Sequence, residues 1–323
     1  MVSHTVHEWT PVQLPSGVPV RLTRHHYRGE QGGPTVYVQA AQHGREVNGS
    51  ETLRRLHERL LSGELSLSGS VVTVPVADPL TFDHQSYTTP EPLDSVNPNM
   101  NRVWPGDGDG TVHDQLAATL WELAADADAV VDLHTASAAT LPHVVYTAGD
   151  DDSRRLAEAF GTTLHLAEAA GDDADREWHE RRFDGKLRVA AHRAGIPCIT
   201  PELGDSRRIQ ESAVETGVAG VLDVLRAVDS LPGAPSSAEI RRCRNHLGRT
   251  TASTSGLFRP APDREPGDSV GEGEYLGSLY DPASYEQLQQ VTAEHDGVLY
   301  AVTRRGTVAA GDRLASVAVG LDD

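Results

Sequence analysis

Cysteine is nearly missing from this 323-residue chain, which carries only Cys198 and Cys243. Two thiols so far apart exclude a disulfide framework and a CxxC-type metal site. Cys198, inside the apolar run GIPCIT, reads as a small core residue. Any metal must therefore be held by histidine and carboxylate. Lysine is scarcer still: Lys186 is alone among 28 basic residues, and the rest are arginine. No run approaches the roughly 20 consecutive apolar residues that a membrane span needs. The N-terminus, MVSHTVHEWTPVQLPSG, has neither a basic start nor an apolar stretch. That predicts no secretory leader and a cytoplasmic protein.

Acid is what the chain has in excess. Its 47 Asp and Glu against 28 Lys and Arg give a formal net charge of −19. Such a field repels nucleic acid and anionic membranes and excludes both as partners. An acidic, lysine-poor surface reads as adaptation to concentrated salt, which screens the self-repulsion. An arginine-favouring, GC-rich genome with an ordinary acidic pI is the alternative. With 38% hydrophobic residues, the chain can bury a core in one large α/β domain plus a smaller one.

The pattern along the chain supports that division. VPVRLTRHHYRG and PTVYVQAAQ are β-rich and lead into an amphipathic helix, EVNGSETLRRLHERLLSG. GSVVTVPVAD is a buried strand. A long irregular segment, PLTFDHQSYTTPEPLDSVNPNMNRVWPGDGDG, follows it, and loops of that length inside compact domains are usually functional. Helix and strand then alternate through TVHDQLAATLWELAAD, ADAVVDLHT, LPHVVYTAG, DDSRRLAEAFG, DGKLRVAAHRAG, IPCITPELG and SAVETGVAGVLDVLRAV. This alternation predicts a mixed, mainly parallel sheet sandwiched by helices. LPGAPSSAE marks a junction, so residues 1–235 form the predicted catalytic domain and 236–323 a smaller all-β barrel or sandwich. That tail resembles the lipoyl/biotinyl-carrier type of β-module. It has no lysine to accept a prosthetic group, which excludes a carrier role and leaves a structural or substrate-gating one.

Ligands of open α/β sheets gather at the carboxyl ends of strands. His43 and Glu46 follow the strand PTVYVQAA, His134 ends ADAVVDLH, and Glu202 ends IPCITPE. Residues three apart in a turn entering a helix point the same way, which suits His43 and Glu46. Gly44 between them allows a sharp bend. Two imidazoles and one carboxylate form a catalytic zinc set that leaves one position open for water. A nearby carboxylate can then take a proton and pass it to a leaving amine, and Glu202 is the candidate. Asp132, two residues before His134, either orients that ligand or simply closes the strand.

The segments QHGREVNGSETL, NPNMNRVWPG, VVDLHTAS and GIPCITPELG resemble the signature blocks of the succinylglutamate desuccinylase/aspartoacylase family, a zinc-carboxypeptidase-like branch of the metallohydrolases. The resemblance runs in order over roughly residues 18–228, and the β-rich tail fits it. It implies one Zn2+ per chain on His43, Glu46 and His134, with Glu202 as general base and then acid. It also implies Arg102 as the holder of a substrate carboxylate, supported by Asn101, and a guanidinium fork pairs well with that group. The substrate class implied is a small N-acyl amino acid. The oligomeric state is left open, a homo-oligomer included.

The pattern also departs from the family. No arginine lies between Asp78 and Asn101, where relatives carry one that polarises the scissile carbonyl. His84, Gln85 or Tyr87 could stand in as donors, or zinc alone could polarise it. Arg45 replaces the acidic or amide residue often found between the first two ligands. The expected activity is thus a zinc-dependent deacylase. A zinc carboxypeptidase acting on short peptides is the alternative, and a catalytically dead zinc-binding regulator is the reading from outside the enzymes.

Overall fold

The computed structural model describes residues 2–91, 93–136, 139–245 and 249–321. Its strands begin with β1 (Ser3–Gln13), β2 (Pro19–Arg28), β3 (Gln31–Ala40), β4 (Ser68–Val74), β5 (Ala129–Ala136), β6 (Ala139–Thr140), β7 (His143–Thr147), β8 (Leu164–Glu168) and β9 (Cys198–Asp205). The tail adds β10 (Arg241–Arg244), β11 (Thr250–Thr251), β12 (Gly256–Pro260), β13 (Ser269–Val270), β14 (Tyr275–Tyr280), β15 (Gln287–Thr292), β16 (Gly297–Val302), β17 (Thr307–Val308) and β18 (Arg313–Gly320). The helices are α1 (Val47–Leu61), α2 (Pro79–Asp83), α3 (Val112–Ala125), α4 (Asp151–Phe160), α5 (Arg176–Glu180), α6 (Leu187–Arg193) and α7 (Glu211–Ala227).

The large sheet runs in the order β1-β2-β4-β3-β5-β9-β7-β8-β10-β18-β16-β13. Its centre is parallel across β4, β3, β5 and β9, while β7 runs antiparallel to β9. Strand β10 pairs parallel to β8 and antiparallel to β18, so the sheet passes without a break into the tail. A separate antiparallel sheet, β15-β14-β12-β17, packs in the tail around Phe258, Leu279 and Val291. The mixed α/β architecture read from the sequence is therefore present, with a separate C-terminal β-sheet.

Side chains alternate across a strand, and the two cores follow that period. Val36, Val38, Ala40, Val131 and Leu133 face one way, against apolar residues of α1, α4 and α7. Tyr37, Val72, Val74, Val130 and Cys198 face the other, against α3 and α6. Helix α1 buries Leu53, Leu56 and Leu60 and turns a ladder of Glu51, Arg54, Arg55 and Glu58 ion pairs outward. Among the described residues no helix is long and apolar enough to cross a membrane.

Several elements lie beyond the sequence reading, among them β8, α5 and three in the first third of the chain. The N-terminal segment forms β1, whose polar, half-exposed pattern pairs along β2 as an edge hairpin. The long irregular segment contains α2, with Pro79 in its first turn and Asp78 capping Leu80 N and Thr81 N. It also contains a single 3-10 turn at Met100–Arg102.

Candidate active site

The β3–α1 connection is one tight turn, closed by Glu46 N–H donating to the His43 carbonyl at 3.0 Å. Gly44 is required there by close approach. A Cβ would lie 1.9 Å from the Thr81 carbonyl of α2, whereas the left-handed conformation that bends the chain belongs to Ala41. The turn aims His43 and Glu46 at the same point. On β5, Val130, Asp132 and His134 share one face, and on β9 so do Cys198, Thr200 and Glu202. His134 and Glu202 are direct neighbours in the β5–β9 register.

Glu46 bridges the two imidazoles. One carboxylate oxygen lies 3.0 Å from His43 Nδ1 and the other 3.0 Å from His134 Nδ1. The Thr135 backbone N–H also donates to Glu46. All three side chains are about 3% exposed, and their ligand atoms fall within 4.8 Å of one another, close enough to hold a metal ion. Burial alone would raise the Glu46 pKa, but the adjacent imidazoles hold it well below the usual carboxylate range.

The far side of each imidazole is also held. His134 Nε2 meets Asp132 Oδ2 at 2.9 Å, and His43 Nε2 meets Asn99 Oδ1 at 3.2 Å. Asp132 accepts from Gln39 and Gln42, Gln39 accepts from the Tyr37 hydroxyl, and Gln42 accepts from Trp104 Nε1. Burial works against a charged His134, yet Asp132 and Glu46 push its pKa well above 6.5. Partners of this kind fix the ring plane and leave one nitrogen free for a cation.

Above this floor opens a cavity of about 380 Å3. Glu202 lines it, with its pKa raised to about 7 by burial, against the pull of His134 and with the push of Glu46. Among the described residues, seven basic ones line it too, Arg45, Arg102, Arg181, Lys186, Arg188, Arg249 and Arg313, against the carboxylates of Glu46, Glu168 and Glu202. A chain of net charge −19 thus encloses a basic chamber. Glu168, at the end of β8, binds Arg188, Lys186 and Asn245. Burial disfavours its charge, but Arg188 and Lys186 bring its pKa down to about 2. Lys186 lies 3.4 Å over the Phe183 ring, and burial lowers its pKa to about 7.

Arg102 is held flat. Its Nε–H donates to the Arg181 carbonyl at 2.8 Å, its Nη1–H to the Asn101 carbonyl, and its guanidinium stacks over Phe183. Gly185 makes this possible, because a Cβ there would collide with the Arg102 carbonyl at 2.0 Å. The Asn101 amide does not reach Arg102. Its Oδ1 accepts from Leu187 N–H, and its Nδ2 lies 3.5 Å from His134 Nε2. Of the three donors considered for the missing arginine, Tyr87 lines the cavity. It stacks on His43 with ring centroids 3.9 Å apart, and the Arg45 guanidinium lies over it. Among the described residues the buried Arg45 Nε–H has no hydrogen-bond partner.

The tail supplies Asn245, Arg249, Tyr300 and Arg313 to the cavity wall. Sequence reasoning missed these, along with Glu168, Lys186, Arg188 and Asn99. Two signals were available. Glu168 ends a strand like the other site residues, and Lys186 is the chain's single lysine.

These features define an α/β protein whose strand ends gather a buried His–Glu–His group, beneath a cationic chamber closed by its own C-terminal β-structure. The chain belongs to the succinylglutamate desuccinylase/aspartoacylase family: the family's catalytic-domain profile matches residues 32–228. It is 29% identical to the N-alpha-acetyl-L-2,4-diaminobutyric acid deacetylase of Halomonas elongata, over 93% of this chain and 85% of that protein. Its fold is shared by a succinylglutamate desuccinylase/aspartoacylase from Rhodobacter sphaeroides (TM-score 0.82, 23% identity, 100% of this chain and 96% of that one). It is shared too by the product-bound ectoine utilization protein EutE (DoeB) from Ruegeria pomeroyi (TM-score 0.81, 22% identity, 98% and 95%).

Proposed function

We propose that this protein is a zinc-dependent amidohydrolase that removes the acyl group from a small N-acyl amino acid bearing a free carboxylate. One observation carries the reading: the buried His43–Glu46–His134 group and Glu202 share the floor of a chamber walled by cations. The donor set fits zinc, since two imidazole nitrogens and one carboxylate leave a fourth position open. His43, Glu46 and His134 would hold the ion, which supplies Lewis acidity toward water and the acyl carbonyl.

The chain's own residues do the rest. Asp132 and Asn99 keep the two imidazoles in the tautomers that ligate. Glu202 takes a proton from the attacking water as the C–O bond forms, then delivers it to the departing nitrogen as the C–N bond breaks. The products are a carboxylate and a free amine. Arg45 takes the place of the missing arginine: its guanidinium, which lines the chamber over Tyr87, holds the carbonyl oxygen as negative charge develops there. Arg102, its plane fixed by two carbonyls, receives the substrate carboxylate.

The relative from Halomonas elongata and the desuccinylase-like neighbours support a deacylase. The wall built by Tyr300, Arg249 and Arg313 favours small substrates over long peptides. The test is a panel of N-acetyl and N-succinyl amino acids beside dipeptides, assayed with the metal counted. Release of free amine from acyl amino acids, lost on chelation and restored by Zn2+, is expected. Dipeptide cleavage alone would move the reading to a carboxypeptidase. We read the acidic excess as adaptation to salt in a cytoplasmic protein, so the melting temperature should climb from low to molar salt.

A further inference from the structure

A second group of ligating side chains lies at the opposite end of α1. In the β1–β2 register His4 faces Tyr27 directly, and His25, two residues away on β2, shares the face of Tyr27. That face is the one covered by α1, where Tyr27 packs with Leu53, Leu56 and Leu60. His57 lies on the flank of the same leucine stripe and reaches over the hairpin. His4 Nε2 and His25 Nδ1 stand 3.1 Å apart, and one ring nitrogen from each of His4, His25 and His57 falls within 4.8 Å of the others. All three side chains are half-buried, so the group is open to solvent on one side.

We propose that His4, His25 and His57 form a second cation site, binding one divalent ion of zinc-like character and stapling the β1–β2 hairpin to α1. Three neutral imidazoles suit a borderline metal and do not suit calcium or magnesium, which prefer oxygen. Zinc–nitrogen bonds of about 2.0–2.1 Å set tetrahedral donors about 3.3 Å apart. The His4–His25 pair already has nearly that spacing, and a small rotation of His57 completes the set.

The remaining ring atoms have uses. The Tyr27 hydroxyl lies 2.8 Å from His57 Nδ1, so it can accept that N–H and leave Nε2 for the cation. Tyr27 also stacks against His4 at 4.7 Å and provides an aromatic shelf that holds the ring plane. Burial and mutual repulsion lower the pKa of His4 and His25, which keeps both neutral and ready to ligate at pH 7. Neutral His4 and His25 need only to move a proton to the other ring nitrogen to present a lone pair to the ion. Along the helix His57 lies 11 residues from Glu46, roughly 16 Å at 1.5 Å per residue, so the two sites fill independently.

The test is a count. Full-length protein is stripped with a chelator, dialysed and titrated with Zn2+ alone, as wild type and as His4→Ala/His25→Ala, His57→Gln and His43→Ala variants. Two equivalents are expected for wild type, and one for each variant. The double variant and His57→Gln should keep their hydrolytic rate, while His43→Ala should keep a single site of micromolar affinity. Should the double variant fail to fold, His57→Gln alone decides. The proposal is overturned if the His4/His25 or His57 variants bind as many equivalents as wild type, or if His43→Ala binds none. The His43→Ala count does not depend on the proposed activity, so a failure here is distinguishable from a failure of the deacylase reading.

Discussion

The two ends of α1 carry two triplets of side chains whose ligand atoms cluster closely enough to hold a metal ion, built on opposite principles. At the N-terminal end, His43 and His134 share a carboxylate, Glu46, and Asp132 and Asn99 brace the outer ring atoms. Its members are buried, and neighbouring anions push His134 toward the charged form. Near the C-terminal end, His4, His25 and His57 gather with no carboxylate among them, half in solvent, and two of the three are pushed toward neutrality. Proximity of donors is common to both. What separates them is preorganisation: of the two, the first has its charge balanced and its rings fixed by a buried carboxylate and amide network, beneath a cavity lined by cations. Chemistry is assigned to the first, and no more than binding to the second.

The sharpest way to break this contrast is at Glu202. Replacing it with Gln should leave metal content unchanged and lower kcat by about 10²–10⁴-fold, the usual span for a general acid–base group. Near-normal turnover would take Glu202 out of the reaction. Arg45→Met comes next. Loss of one donor to a developing oxyanion costs about 10²–10³-fold in kcat, so kcat should collapse while KM changes little. Arg102→Gln should show the reverse split. If Arg45→Met raised only KM, the guanidinium would be a binding group and the carbonyl would need another donor.

The bracing network gives the third, smaller effect. Asp132→Asn keeps the shape but removes the charge facing His134 Nε2. Metal affinity should fall about 10–100-fold, as it does when such partners are lost, measured by competition with a chromogenic chelator. No comparable loss is available at the second triplet, where Tyr27→Phe removes only a neutral hydroxyl and should weaken Zn2+ binding severalfold at most. Equal losses in the two variants would erase the distinction drawn between the groups.

How much of this was readable from residues depends on which physical signal each part leaves. The strand ends carrying His43, His134 and Glu202 are legible because the carboxyl edge of an α/β sheet is dictated by alternating elements, and each residue follows an apolar run directly. Glu168 obeys the same rule but ends a five-residue strand, LHLAE, whose short alternating pattern gives little periodicity to find. Arg249, Tyr300 and Arg313 leave no local signal, since their position follows from β10 joining the sheet beside β8. The His4–His25–His57 group is of that kind too. Its members belong to a hairpin and a helix whose contact is set by tertiary packing, and β1 itself, polar on both faces for most of its length, resembles a loop in sequence. Gly44 was legible as necessary but for another reason, because nothing in the sequence shows Thr81 pressing against it.

The smallest expected effect separates the triplets by the direction in which they titrate. His4 and His25 have folded-state pKa values lowered from 6.5, first by burial and then by the charge of neighbouring imidazoles. Their protonation therefore works against the fold, and stability is lost as the pH drops through 6.5 toward the folded values. His134 is the opposite case: its raised pKa contributes stability that is complete below 6.5 and is lost as the pH rises through the folded value. Melting chelator-treated wild type beside the His4→Ala/His25→Ala variant between pH 7 and pH 5 isolates the first contribution, because His134 and the other titrating groups are common to both. The His4→Ala/His25→Ala variant should lose less melting temperature over that range than wild type, by about 1–2 °C given the size of the chain and the solvent screening of half-exposed rings. Parallel curves would mean that neither burial nor the neighbouring imidazoles act on His4 and His25, and the contrast in titration between the two triplets would be gone.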